Sequence, residues 1–167
     1  MIPKERYGVH LGAMSSRATG RGNLSAVAAT DWQQLLSAGD GYDMRPGAAE
    51  DEIAGAEAAL DAVFPRELRG IYRASDGLLD RAGQWQVIWP LADVVARNRE
   101  AWETEDSPFR RRLVGFGDDG TGVAFCARRD GGDGVFAWSV FPGEATRLAG
   151  SVGTFWAAWV AGTLPPY

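Results

Sequence analysis

The sequence is poor in the residues on which most chemistry at neutral pH depends. It has one cysteine, Cys126, in 167 residues, which excludes an internal disulfide framework and any multi-cysteine zinc site. Its one histidine, His10, lies close to the N-terminus, so the usual proton shuttle is missing from the rest of the chain. Catalytic triads, histidine metal sites and most histidine acid–base schemes fall together. Lysine is almost absent as well: Lys4 stands alone and arginine fills every other basic position. That usage is expected of GC-rich coding and hints at a bacterial source. No run approaches the about 20 apolar residues of a spanning helix, and the N-terminus has no signal-peptide core. The expectation is a cytoplasmic protein without a membrane partner.

What is present suits a packed core. Hydrophobic residues make up 46% of the chain, and seven of them are tryptophans. The length fits one domain with a tail. Charge is uneven: residues 1–47 hold five basic and four acidic residues, whereas the other 120 hold twelve basic and eighteen acidic, net −6. An acidic domain repels phosphate backbones and favours basic protein partners.

Residues 1–22 are polar, punctuated by Gly, Ser and Arg and without period, so they predict a mobile tail, with a single domain over 23–167. From Asn23 to Ser37 the apolar spacing is helical, and GDGYDMRPG reads as a loop. Ile53, Ala56, Leu60 and Val63 give a helix with an acidic first turn. Pro65 starts a second helix carrying Leu68, Ile71 and Tyr72, and Gly77 stops it. Trp85–Trp89 reads as a strand ended by Pro90, with a helix from Leu91 to Thr104 and a charged loop, EDSPFRRR, behind it. Short apolar runs at 113–117, 123–129, 135–140 and 145–149, split by Asp/Gly-rich turns, predict an antiparallel β-meander. A helix over 151–161, capped by Ser151, closes the chain. The fold class is therefore α+β: a meander sheet packed with N-terminal helices and a C-terminal helix.

The most suggestive stretch is LVGFGDDGTGVAFC. Calcium loops need alternating oxygen ligands and a distant glutamate, and a P-loop needs Lys and Ser/Thr after its glycines; neither follows Asp118-Asp119. Asp-Gly supplies the positive-φ positions of tight turns, so these acids are expected to turn the chain. Asp130 and Asp133 repeat the pattern at the far end of the same strand. As turn residues all four should be solvent-exposed, because buried unpaired carboxylates are costly. Asp76 adds a further loop acid. Arg110-Arg111-Arg112 is the one basic run, expected to be a solvated loop flanking a strand, and the domain charge argues against a nucleic-acid groove. Cys126 reads as a small buried hydrophobe. Trp85 and Trp89, evenly spaced on one strand face, are the aromatics least easily given to the core. No catalytic constellation emerges, and neither a cofactor nor a metal is expected.

The order of these features resembles the Smi/Knr-like branch of the SUKH superfamily over about residues 24–162. RPGAAEDEIAGAEAALD followed by FPRELRGIYRASDG resembles its acidic helix and proline-led signature. IWPLADVV resembles its Pro-Leu strand exit, GFGDDGTGVAFC its glycine-rich hairpin, and GVFAWSVFPGEATRLAGSVGTFWAAWV its closing strands and helix. Val123 departs from the Asp or Asn many relatives carry after the second hairpin glycine. The resemblance implies a non-enzymatic binding domain. In bacteria it implies an immunity protein that neutralises a polymorphic toxin, often a basic nuclease encoded nearby. Asp118 and Asp119 would lie nearest such a partner, with Asp76, Trp85 and Trp89 as further candidates. Two rivals stand beside it. One is a regulatory scaffold or ligand-binding module, with Trp85 and Trp89 flanking a cleft. The other is an enzyme holding a divalent metal on Asp118 and Asp119.

Overall fold

The computed structural model describes residues 31–38 and 41–167. The tail expected over 1–22 and the helical turns expected over 23–30 lie outside the described residues. The described part of that helix, α1, runs Trp32–Ser37, with the Asp31 carboxylate accepting the Gln34 N–H at 3.1 Å as its cap.

Three longer helices follow the apolar spacing closely. In α2, Glu50–Leu60, the first turn is acidic and Glu52 reaches back to the Ala49 N–H at 2.7 Å. Pro65 sits one residue before α3, Arg66–Ala74, at its cap, where a missing N–H costs nothing. Helix α4, Leu91–Thr104, starts directly after Pro90.

Among the described residues seven strands form two antiparallel sheets. The first contains β1 (Tyr42–Met44), β2 (Leu78–Asp80) and β3 (Gln86–Ile88) in the order β1-β2-β3. Two of its strands depart from the sequence expectation: β1 lies inside the segment read as a loop, and β2 follows the Gly77 stop. The strand expected over Trp85–Trp89 is confined to its middle three residues. The second sheet is the expected meander, β4 (Leu113–Asp118), β5 (Ala124–Arg128), β6 (Val135–Ser139) and β7 (Glu144–Ala149), in sequential order. Helix α5, Val152–Ala161, closes it with the Ser151 hydroxyl on the Thr154 N–H at 3.2 Å.

The sheets meet where β3 leaves its own. The Trp89 N–H donates to the Phe116 carbonyl of β4 at 2.8 Å. A Cβ on Gly117 would lie 1.9 Å from the Val87 carbonyl, so this close backbone crossing needs glycine. One meander face packs on the helices through Val114, Phe116, Phe125, Ala127, Val135 and Ala137, all buried. Phe155 of α5 stands edge-on to Phe125 at 4.8 Å and to Phe116 at 5.8 Å.

The opposite face holds a small second cluster of Leu113, Cys126 and Trp138. The 105–112 segment covers it: Glu105 accepts the Trp138 indole N–H at 2.6 Å, and Phe109 meets Phe136 edge-on at 6.3 Å. This corrects the reading of Arg110 as solvated. Arg110 is 2% exposed, donates to the Leu113 carbonyl at 3.0 Å and to the Asn98 side-chain oxygen at 3.1 Å, and stands 3.9 Å from Glu105. Its aliphatic stem and charge are both used to seal the sheet. Cys126 is buried as expected, and burial pushes its thiol up to about 11.

Candidate partner-binding site at the acidic hairpin

The β4–β5 turn is built by its own aspartates. Asp119 Oδ1 accepts the Thr121 N–H at 2.8 Å and the Val123 N–H at 3.2 Å, and the Thr121 hydroxyl bonds the same carboxylate. Gly120 and Gly122 take φ of +77° and +101°, the left-handed conformations that the Asp-Gly spacing anticipates. The first task of the acid pair is to turn the chain.

Asp118 has a second task that the sequence does not announce. Its Oδ1 accepts the Gly120 N–H at 2.8 Å, while its Oδ2 accepts the Trp89 indole N–H at 2.7 Å. Its main-chain carbonyl accepts the Trp85 indole N–H at 3.2 Å. Both tryptophans singled out by their even spacing thus close onto one residue. They form no pair of walls around a cleft, the arrangement that would have favoured a ligand-binding module. Trp89 is buried and Trp85 half-buried against the core. Gly120 makes room for Trp85, since a Cβ there would lie 2.7 Å from the indole.

The acids are consequently less exposed than expected of turn residues. The Asp118 side chain is only 18% exposed, which is tolerable because every acceptor lobe that faces inward has a donor. Arg97 lies over the Trp89 ring at 4.7 Å and 3.9 Å from Asp118 Oδ2, adding a cation to the group. Burial, then the Asp119 charge, pushes the Tyr167 phenol up to about 12. Asp130 and Asp133, at the opposite end of β5, are exposed as expected. Arg128 and the Gly132 N–H hold the Asp130 carboxyl well below the usual range.

Asp76 belongs to a different contact. Its carboxylate accepts the Leu91 N–H at 2.8 Å and caps α4, whose preceding residue, Pro90, has no side-chain cap to offer. Burial, and secondarily this acid, raise the Tyr72 phenol well above its ordinary value.

Sequence reasoning missed Phe141. It is 90% exposed in the β6–β7 turn. Ala124 pairs with Asp118 on one side and Trp138 on the other, so this turn and the acidic hairpin occupy the same end of the meander. The available signal was an aromatic placed directly before Pro142-Gly143, where nothing on either strand face could cover it. Among the described residues no group of three His, Cys, Asp or Glu side chains converges, and no helix is long and apolar enough to cross a membrane.

Two antiparallel sheets joined at Trp89, helices against one meander face and a glycine-rich acidic hairpin define an α+β domain of a recognisable kind. The model of the SMI1 / KNR4 family (SUKH-1) matches residues 47–158, from the lead into α2 through most of α5, and the chain belongs to that family. No curated protein matches the chain closely enough to count as a relative.

Proposed function

We propose that this protein is an immunity protein: a non-catalytic, cytoplasmic domain that neutralises a cognate polymorphic toxin, of the nuclease type, by binding it. Membership of the SMI1 / KNR4 family (SUKH-1) is the observation that carries this reading. The acidic balance, net −5 for the whole chain, supports a basic protein partner and speeds its capture. The docking surface proposed is the end of the meander where Asp118, Asp119 and the exposed Phe141 lie together. In it Asp119 presents charge, Phe141 offers an aromatic anchor, and Trp85 and Trp89 hold the hairpin rigid. Asp76 falls outside this surface because its carboxylate caps α4.

The test is co-expression with a toxin domain encoded by the adjacent gene. The expected result is restored growth and recovery of a one-to-one complex. Continued killing, with folded protein present and no complex, would sink the reading.

A further inference from the structure

The end of the meander opposite the acidic hairpin carries the reverse charge. The β4 start, the β5 end and the 109–112 segment enclose a cleft of about 570 Å³, and Arg111, Arg112, Arg128 and Arg129 all line it. Only Asp61 and Asp130 oppose them there. The volume falls within the range of small-molecule sites, about 300–1,000 Å³.

The four guanidinium groups are not equivalent. Arg129 is committed: it donates to the carbonyls of Asp61 at 3.1 Å and Leu60 at 2.7 Å, and rests on Trp102 at 4.4 Å. Its charge sits on the C-terminal carbonyls of α2, where a cation is favoured. Arg128 is paired with Asp130 through bonds of 2.9 and 2.5 Å. Among the described residues Arg111 uses only its Nε, on the Trp102 carbonyl at 3.2 Å, which leaves both terminal nitrogens without a partner there. Arg112 makes no side-chain hydrogen bond or ion pair among the described residues. Two unpaired planar forks therefore flank a cleft whose other two arginines are paired with Asp130 and Asp61, an arrangement matched to a doubly charged phosphate.

The wall beside them is aromatic. Phe109 is 45% exposed, and its edge-on contact with Phe136 leaves ring surface open to the cleft. A flat ring can stack on that open aromatic surface. Asp61, 3.6 Å from Arg129, and Asp130, paired with Arg128, leave two uncompensated guanidinium charges at the cleft, which suits one phosphate rather than a chain of them. The acidic balance of the domain acts in the same sense.

We propose that this cleft binds a single phosphate ester of a flat ring, a mononucleotide-sized ligand. Arg111 and Arg112 grip the phosphate, and Phe109 with Phe136 receives the ring. The inference does not depend on toxin binding, which is assigned to the other end of the sheet.

Calorimetric titration of the intact protein with adenosine monophosphate, inorganic phosphate and adenosine tests it. The monophosphate is expected to bind with Kd below about 1 mM, and at least about tenfold tighter than either fragment. Arg112→Ala, which removes a side chain with no hydrogen bond or ion pair among the described residues, should weaken it about tenfold, and Arg111→Ala with Arg112→Ala more. Phe109→Ala should lower the monophosphate to the affinity of inorganic phosphate and leave inorganic phosphate unchanged. Thermal unfolding verifies that each variant is folded. The proposal is overturned if the folded protein gives no heat with the monophosphate. It is overturned equally if Arg112→Ala and the double variant bind as the parent does, or if inorganic phosphate binds as tightly as the monophosphate.

Discussion

Trp89 and Asp118 meet where the two sheets join, the indole N–H donating to the carboxylate at 2.7 Å. A residue that would serve any Asp-Gly turn here ties the hairpin to β3. Asp118→Ala should leave a buried indole donor without a partner and cost about 1–3 kcal/mol. In thermal unfolding each kcal/mol is worth about 2–4 °C at this size. Asp118→Asn keeps an oxygen acceptor and should lose clearly less. Equal stability of Asp118→Ala and the parent would show that the contact contributes nothing.

Asp119 is the acid to change when the partner surface is tested, because its hydrogen bonds stay within the turn whereas Asp118 also holds the buried Trp89 indole; thermal unfolding of the variant verifies its fold. With a cognate basic toxin in hand, Asp119→Lys should slow association and flatten its dependence on salt, with dissociation less affected. Stopped-flow association at two ionic strengths reads both effects. An unaltered association rate in a folded variant would remove Asp119 from the interface.

Asn98 holds β4 to α4 from inside the core. Its side chain accepts the Gly115 N–H and donates to the Gly115 carbonyl, both at 2.7 Å, and it also accepts from Arg110 at 3.1 Å. Asn98→Ala strands main-chain groups and a buried guanidinium together, so a loss of about 3 kcal/mol or more is expected in urea unfolding. A loss below about 1 kcal/mol would mean that water replaces the amide.

Two glycines should respond with opposite sign. Gly55, on the exposed side of α2, has open space around a new Cβ, so Gly55→Ala should stabilise by about 0.5–1 kcal/mol. Gly117→Ala drives a methyl into the Val87 carbonyl and should destabilise by about 1–3 kcal/mol or more. The pair distinguishes a helix-propensity effect from a sheet-contact effect in one assay.

Alkaline pH should weaken the fold. Burial raises the Cys126 thiol from about 9 to about 11 and lifts the Tyr72 phenol well above 10. The folded state therefore holds protons that the unfolded chain releases. The Cys126 contribution is complete below about pH 9 and is lost as pH rises toward 11, whereas that of Tyr72 begins to fall only above about pH 10. Urea midpoints should fall over that window, less steeply in Cys126→Ala. At pH 8 the native thiol should resist a disulfide reagent and react only on unfolding.

Much of the architecture was legible because it rests on short-range patterns. The α4 limits, the four meander strands, the Ser151 cap and the glycine conformations of the acidic turn all follow from residues within a few positions of one another. The first sheet was not legible, because three-residue strands such as β1 and β2 are too short to show a period.

The side-chain assignments divide the same way. The sequence by itself determined that Asp118-Asp119 would turn the chain and that Cys126 would be buried. Only the tertiary structure decided that Trp89 belongs to the core, that Trp85 and Trp89 both bind Asp118, that Asp76 caps α4, and that Arg110 seals the meander. It also brought Arg111 and Arg112 beside Arg128 and Arg129, through the pairing of Leu113 with Arg128. Turn and strand preferences act through each residue's own backbone and near neighbours. The partner of a buried donor or charge is chosen by which distant segment packs against it, and that choice is made only when the sheets and helices close on one another.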